Sequence, residues 1–283
     1  MSHLTKGHCC VKRCAVVSVD SSKILVEIRN LHFAHNAEGK RKTLSVGGLE
    51  VTQGKKIGMV GPVGSGKTTL FNMMLRLHEP ETGAIYLEGR DVTSVPLQEL
   101  RNTIGSVEQQ IFLFSETIEK NLTLGSLAQV QLDEIRQAAC VACIDDEIEA
   151  LEKKYETILG ERGVNLSGGQ KQRVALVRAL VRKPKLLLLD DAFSAVDLAI
   201  EQRIIRNFFE NYQALSLIFS SHRMSVMARM DEVWVMDRGE LVGRGHHKEL
   251  IKSNSLYRQL WAKSEEEVLR EKYLAGEAAD VRV

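Results

Sequence analysis

Two glycine-rich stretches and one acidic stretch carry the residue types that phosphate chemistry needs. Gly61-Pro62-Val63-Gly64-Ser65-Gly66-Lys67-Thr68, followed by Thr69, fits the pattern G-x-x-x-x-G-K-[ST]. It follows the apolar run KKIGMV and opens the helical pattern TTLFNMMLRL, the context this motif requires. Glycines let successive backbone N–H groups turn inward around phosphates. Lys67 can reach the β- and γ-oxygens, Thr68 can offer its hydroxyl to Mg²⁺, and the helix N-terminus adds its positive end. A glycine turn that merely opens a helix does not call for the complete pattern, so the chain is read as binding a nucleoside triphosphate.

The second stretch, Ser167-Gly168-Gly169-Gln170 after Leu166, opens the helix QKQRVALVRALVRK. It is another surface of N–H groups suited to an anion. One chain with one triphosphate has no use for two such surfaces. Two chains do, if the second motif of each caps the γ-phosphate held by the other. Taken alone, the motif reads equally well as a helix N-cap by Ser167. The third stretch, LLLLDDAFSAVD at 186–197, places carboxylates at Asp190, Asp191 and Asp197. The residues alone leave open which of these does chemistry.

The elements that must position these groups alternate. ILVEIRNLHF, TLSVGGLEV and KKIGMVG read as strands, with HNAEGKRK as a turn between the first two. AIYLEG and SVEQQIFLF bracket the helix LQELRNT, and Glu116 to Leu159 reads as nearly all helical. KLLLLD and ALSLIFSSH read as buried strands around the helix DLAIEQRIIRNFFENY, before a helix and the hairpin EVWVMDRGELVGRG. The expected fold is α/β: helices layered on a largely parallel sheet, with an inserted helical block near 95–160. Residues 1–22 are expected to be an arm, 23–262 the domain, and 263–283 a charged helical tail.

Composition excludes several classes. The chain has 283 residues with 38 Lys+Arg against 37 Asp+Glu, so there is no net field for nucleic acid or anionic lipid. Its longest apolar runs are far too short to span a bilayer, and no signal-peptide core is apparent, so a soluble cytoplasmic chain is expected. Five cysteines without a secretory signal argue for reduced thiols. Cys140 and Cys143 form a C-x-x-C that reads as packing within a helix interior. The His8/Cys9/Cys10/Cys14 cluster has no matching ligand pair for a metal site.

Together, the phosphate loop, LSGGQ, LLLLD, SAVD and the histidine after LSLIFSS have the order and spacing of the ATP-binding cassette (ABC) ATPases. Residues from about Lys23 to Trp261 resemble the nucleotide-binding domain of ABC transporters. The resemblance implies an α/β fold with a P-loop NTPase (RecA-like) core, an N-terminal antiparallel β subdomain and an inserted α-helical subdomain at about 95–165, and it implies ATP and Mg²⁺ as ligands. It implies that Gln109, in SVEQQIF, touches Mg²⁺ or the attacking water and links to a membrane domain. Asp190 would orient Mg²⁺, Asp197 would lie at a dimer interface, and His222 would contact the γ-phosphate. GERG at 160–163 and the run IFLFSETIEKNL resemble exporter-type cassettes, in which this surface receives the transmembrane domains, on the same or a separate polypeptide, at the cytoplasmic face of a membrane. Ile111, Phe112 and Phe114 fit such a docking groove, and fit subdomain core equally well. The implied partner is a second ABC ATPase domain, identical or not, and no nucleic acid.

Two positions depart from the family pattern. Asp191 stands where the family places glutamate. One methylene fewer withdraws the carboxylate by roughly 1.5 Å, and a misplacement of about 1 Å can cost about a hundredfold in rate. Slow or degenerate hydrolysis is therefore expected, either in the weak site of a heterodimer or in a slow homodimer, although weak-site chains often lose the histidine kept here as His222. His35 stands where the family often has an aromatic residue stacked on adenine, with Phe33 read as core. Two further readings are a regulatory ATP-binding module with little turnover, and a non-transport ABC ATPase. The latter needs a coiled-coil insert or a second cassette, and this chain shows neither.

Overall fold

The computed structural model describes residues 22–35, 42–126, 128–160, 163 and 165–274. In chain order the strands and helices begin with β1 (Ile24–His35), β2 (Lys42–Thr52), β3 (Lys56–Val60), α1 (Lys67–Met74), β4 (Ile85–Leu87) and β5 (Arg90–Asp91). Then come α2 (Leu97–Thr103), β6 (Ile104–Val107), α3 (Ile118–Thr123), α4 (Leu132–Val141), α5 (Asp145–Glu149) and α6 (Gly168–Val181). The described chain ends with β7 (Leu186–Asp190), α7 (Leu198–Asn211), β8 (Ser216–Ser220), β9 (Glu232–Asp237), β10 (Glu240–Gly245), α8 (His247–Ser253) and α9 (Ser255–Leu274). No helix among the described residues is long and apolar enough to cross a membrane.

The chain divides into two compact units. The phosphate-loop unit comprises 26–50, 56–94 and the chain from Ile218 onward. Its strands lie in the order β5-β4-β1-β2-β10-β9-β3. β1 runs antiparallel to β4, with Val26 opposite Leu87, and β3 runs parallel to β9, with Ile57 opposite Glu232. All five residues of β3 are buried, as a strand covered on both faces should be. The β9–β10 hairpin turns at Arg238 and Gly239, both at positive φ (49° and 88°), the geometry that suits the right-handed twist of paired strands.

The second unit comprises 95–217 with 51–55 and the described residues up to Leu25. Here β6 pairs parallel with β7, from Ile104 opposite Leu186 to Val107 opposite Leu189, and the four leucines of β7 are buried. Between Glu116 and Leu159, expected to be nearly all helical, the described residues form α3, α4, α5 and a 3₁₀ turn at Lys154–Glu156 joined by non-helical turns, with an antiparallel bridge between Thr117 and Ile158.

Local differences from the sequence reading have physical causes. SVEQQIFLF is strand only through Val107; Glu108, Gln109 and Gln110 are exposed, and the chain leaves the sheet there. Cys143 lies past the end of α4 at φ 55°, not inside a helix. Its thiol is half-buried, and burial pushes it above the usual cysteine range, so it is inert. Phe33 is half-buried and stacks on His78 at 5.2 Å, rather than lying in the core. The expected boundary at 262/263 falls inside α9, where Ser264 is buried. The cysteines at 9, 10 and 14 lie outside the described residues.

Candidate active site

The phosphate loop is held open by backbone geometry. β3 ends at Val60, and Gly64 and Gly66 adopt left-handed φ of 79° and 104°, which glycine takes without strain. A Cβ on Gly61 would lie 2.2 Å from the Met236 carbonyl oxygen, so only glycine fits against β9 there. Gly66 is the N-cap of α1 and makes no side-chain cap hydrogen bond. Lys67 is 8% exposed, and its Nζ donates to the carbonyls of Gly61 (2.8 Å) and Pro62 (3.0 Å) and to Ser65 Oγ (3.3 Å). An ammonium folded back onto its own loop is poised to exchange those carbonyls for phosphate oxygens. Thr68 is exposed and Thr69 half-buried on the first turn.

His222 comes to the flank of this loop. A cavity of about 270 Å³ is lined by Pro62 and Val63, by Ser221 and His222, and by Lys263 and Ser264 of α9. Ser221 Oγ accepts the Arg223 N–H (3.0 Å), and Ser264 Oγ accepts the Met224 N–H (3.1 Å), so the C-terminal helix fastens the segment that follows His222. From its sequence, α9 beyond residue 262 reads as a tail, because a lone buried serine leaves no periodic signal. For His35, β1 reaches the residue, but its side chain lies outside the described part.

The other unit brings Gln109 and Asp191 together. Gln109 Nε2 lies 3.5 Å from Asp191 Oδ2, the outer limit of hydrogen-bond reach. Asp190 ends β7, and Asp191 follows at φ 48°. In that left-handed region aspartate and asparagine are favoured among non-glycine residues, since a short polar side chain can bond locally. The backbone therefore gives the shorter acid a local reason to be here. Asp197 caps α7, accepting the amides of Ala199 (2.8 Å) and Ile200 (3.4 Å).

The signature stretch is a capping box. Ser167 Oγ accepts the Gln170 N–H (3.2 Å) while Gln170 Oε1 accepts the Ser167 N–H (2.8 Å). The two glycines have a packing reason. A Cβ on Gly169 would lie 2.7 Å from the Ala195 carbonyl oxygen, and one on Gly168 would lie 3.1 Å from the Ala195 methyl. Buried Gln172 ties the same two segments, donating to Ser194 Oγ and accepting the Ala195 N–H, each at 2.9 Å. Neither Gln172 nor Glu147, which meets Gln170 and Arg173, stood out in the sequence, because both look like solvated polar residues of a helix.

On the same unit Leu113 is fully buried, whereas Phe112 and Phe114 are 53% and 46% exposed and pack edge to face at 4.9 Å. Buried Asn121 holds both the N–H and the C=O of Phe114, and Arg178 donates to the Phe112 carbonyl. Ile111 is half-buried, and Ile158 is 63% exposed. Of the three residues read as docking groove or subdomain core, Phe112 and Phe114 lie at the surface and Ile111 is half-buried.

The family model described as "ABC transporter" matches residues 44–194, which span the phosphate loop, the signature stretch and β7. The chain belongs to the ABC transporter family. Within it, the match falls on the ATP-binding domain. The cassette is 38% identical over 236 residues to the uncharacterized ABC transporter ATP-binding protein YfiB of Bacillus subtilis, covering 83% of this chain and 40% of that protein. It is 38% identical over 237 residues to the human mitochondrial iron-sulfur clusters transporter ABCB7, covering 83% and 31%. A solved bacterial Atm1-family ABC exporter with ATP bound superposes with a TM-score of 0.79 at 33% identity, over 92% of this chain and 46% of that one. The cassette thus spans less than half the length of these relatives. Taken singly, the Thr68 hydroxyl, the Asp190 carboxylate and the Gln109 amide oxygen are hard oxygen donors of the kind Mg²⁺ takes.

Proposed function

We propose that this cassette is the motor of an ABC exporter, working at the cytoplasmic face of a membrane as one of a head-to-tail pair. The observation that carries the reading is the presence in one chain of two anion surfaces of different build. The uncapped phosphate loop, with its inward lysine, is ready to take a triphosphate. The self-capped signature leaves the Ser167 hydroxyl and the first-turn amides of Gly168 and Gly169 for a γ-phosphate held by the partner.

In this reading Gly61 to Thr69 wrap the phosphates, and Lys67 neutralises the β- and γ-oxygens. Thr68, Asp190 and Gln109 would hold Mg²⁺, which when bound offsets phosphate charge. Asp191 orients the attacking water beside Gln109, and His222 contacts the γ-phosphate from the flank of the loop. Asp197 serves the facing chain, and His35 the adenine. With a carboxylate one methylene shorter than usual, turnover is slow. Phe112, Phe114 and Ile158 form the apolar face on which the transmembrane domains dock. Exposed aromatics on a segment pinned by Asn121 and Arg178 support that role, since a docking face must transmit force rather than yield.

The test is Mg-ATP turnover of the purified cassette with its assembly state followed by light scattering. ATP-driven dimerisation with measurable phosphate release is the expected result. ATP binding without either would favour the second reading, a regulatory module, for which the short acid at Asp191 is the supporting feature.

A further inference from the structure

Glu147 on α5 is the acceptor on which the signature capping box rests. Its carboxylate accepts Gln170 Nε2 at 2.9 Å and takes both terminal nitrogens of Arg173, at 2.6 and 3.1 Å. Arg173 is 5% exposed and also donates to the Cys143 carbonyl at the end of α4. A carboxylate only accepts, so it binds the NH₂ end of the Gln170 amide and turns the other end, Oε1, toward the Ser167 N–H. The amide could otherwise rotate by half a turn and present a donor to a donor. With Oε1 held in place, the Ser167 backbone is fixed, and Ser167 Oγ is already engaged as acceptor for the Gln170 N–H. The hydroxyl then has its own hydrogen left to donate outward, beside the Gly168 and Gly169 amides.

We infer that Glu147 is a positioning residue for the signature stretch: through Gln170 it fixes the direction in which Ser167 presents its hydroxyl to the γ-phosphate bound by the partner chain. The inference rests on the trans-capping reading above. It adds that α5, well outside the motif, determines whether the motif is competent. Arg173 is the brace that keeps the carboxylate in register: it is buried, and without Glu147 its charge would keep only the neutral carbonyls of Gly169 and Cys143 as partners.

The test is a double-mutant cycle on the full chain, in the Asp191→Asn background so that ATP is not consumed, with ATP-dependent dimerisation read by light scattering. Glu147→Ala is expected to weaken dimerisation about tenfold, Gln170→Ala to do the same, and the double variant to be no worse than either. ATP affinity of the monomer, set by the phosphate loop, stays within about twofold in all three. Full additivity of the two losses, or unaltered dimerisation in Glu147→Ala, overturns the inference. Should Glu147→Ala melt below the assay temperature, Glu147→Gln carries the same cycle with an isosteric side chain that keeps one acceptor, with a loss of about threefold expected. Ser167→Arg is run alongside. If it still dimerises with ATP, the trans-capping reading itself has failed, and the Glu147 result is then judged separately by whether its loss vanishes in the Gln170→Ala background.

Discussion

The phosphate loop and the signature stretch are both glycine-rich openings of a helix, yet they are built in opposite ways. In the first, glycines are there for conformation: Gly64 and Gly66 sit at left-handed φ, and the helix start has no side-chain cap. In the second, Gly168 and Gly169 do not adopt positive φ, and they are small because Ala195 leaves no room. The second start is also closed by its own serine and glutamine. An uncapped helix start keeps its amides for a ligand and needs no partner to bind one. A self-capped start has used part of its donor set and is suited to completing a site rather than making one.

That contrast can be broken at several points. The largest effect is expected from Lys67→Ala. Removing a buried ammonium that would meet two phosphate groups should weaken ATP by about a hundredfold or more, measured by calorimetry. Unchanged affinity would remove the loop's assigned role. Ser167→Arg should abolish ATP-dependent dimerisation while leaving monomer affinity within about twofold, because in the trans-capping reading the signature meets the partner's nucleotide and not its own. Asp191→Glu should raise turnover about tenfold, equivalent to about 1.4 kcal/mol of barrier. An unchanged rate would mean that the left-handed backbone at Asp191 already carries the shorter acid to its water. Gly169→Ala should destabilise the fold by about 1–3 kcal/mol, seen as a lower melting temperature, since its methyl meets the Ala195 carbonyl rather than a side chain that can turn away.

The smallest effect distinguishes the two helix starts by pH. Burial would raise the Glu147 carboxyl, but the hydrogen bonds from Arg173 and Gln170 and the Arg173 charge outweigh it and hold the group below its ordinary value of 4.5. A depressed acid stabilises the folded state fully above the unfolded value, and that contribution is lost as pH falls through the folded one. Denaturation of the wild type should therefore steepen below pH 4.5, and Glu147→Gln should flatten that limb. Equal slopes for the two proteins would show that the pairing contributes no measurable stability.

The fold was legible wherever a pattern repeats. The buried strands KIGMV and LLLLD, the hairpin around Arg238-Gly239 and the helices after both glycine motifs all appear where periodicity and turn residues put them. SVEQQIFLF misled because its apolar run IFLF reads as a buried strand, whereas the chain leaves the sheet after Val107 and the phenylalanines are surface groups on a pinned loop. The motif residues of the site were legible because phosphate chemistry demands particular types at short spacing. Their supports were not. Glu147 lies 23 positions from Gln170, and Ser264 lies 40 from Met224, and nothing local marks either pair.

What the sequence determined by itself was the set of groups available for chemistry: a glycine loop with a lysine in the pattern of a phosphate cradle, a serine-led helix start, and an aspartate directly after Asp190. Those facts are covalent and local, and any fold must carry them. Tertiary structure alone decided which glycines are forced by φ and which by a neighbouring carbonyl. It also decided that Asp191 sits in a left-handed turn beside Gln109, and that a glutamate from another helix sets the signature amide. Those are distances between segments far apart in the chain, fixed only when burial of the strands and helices brings their backbones together.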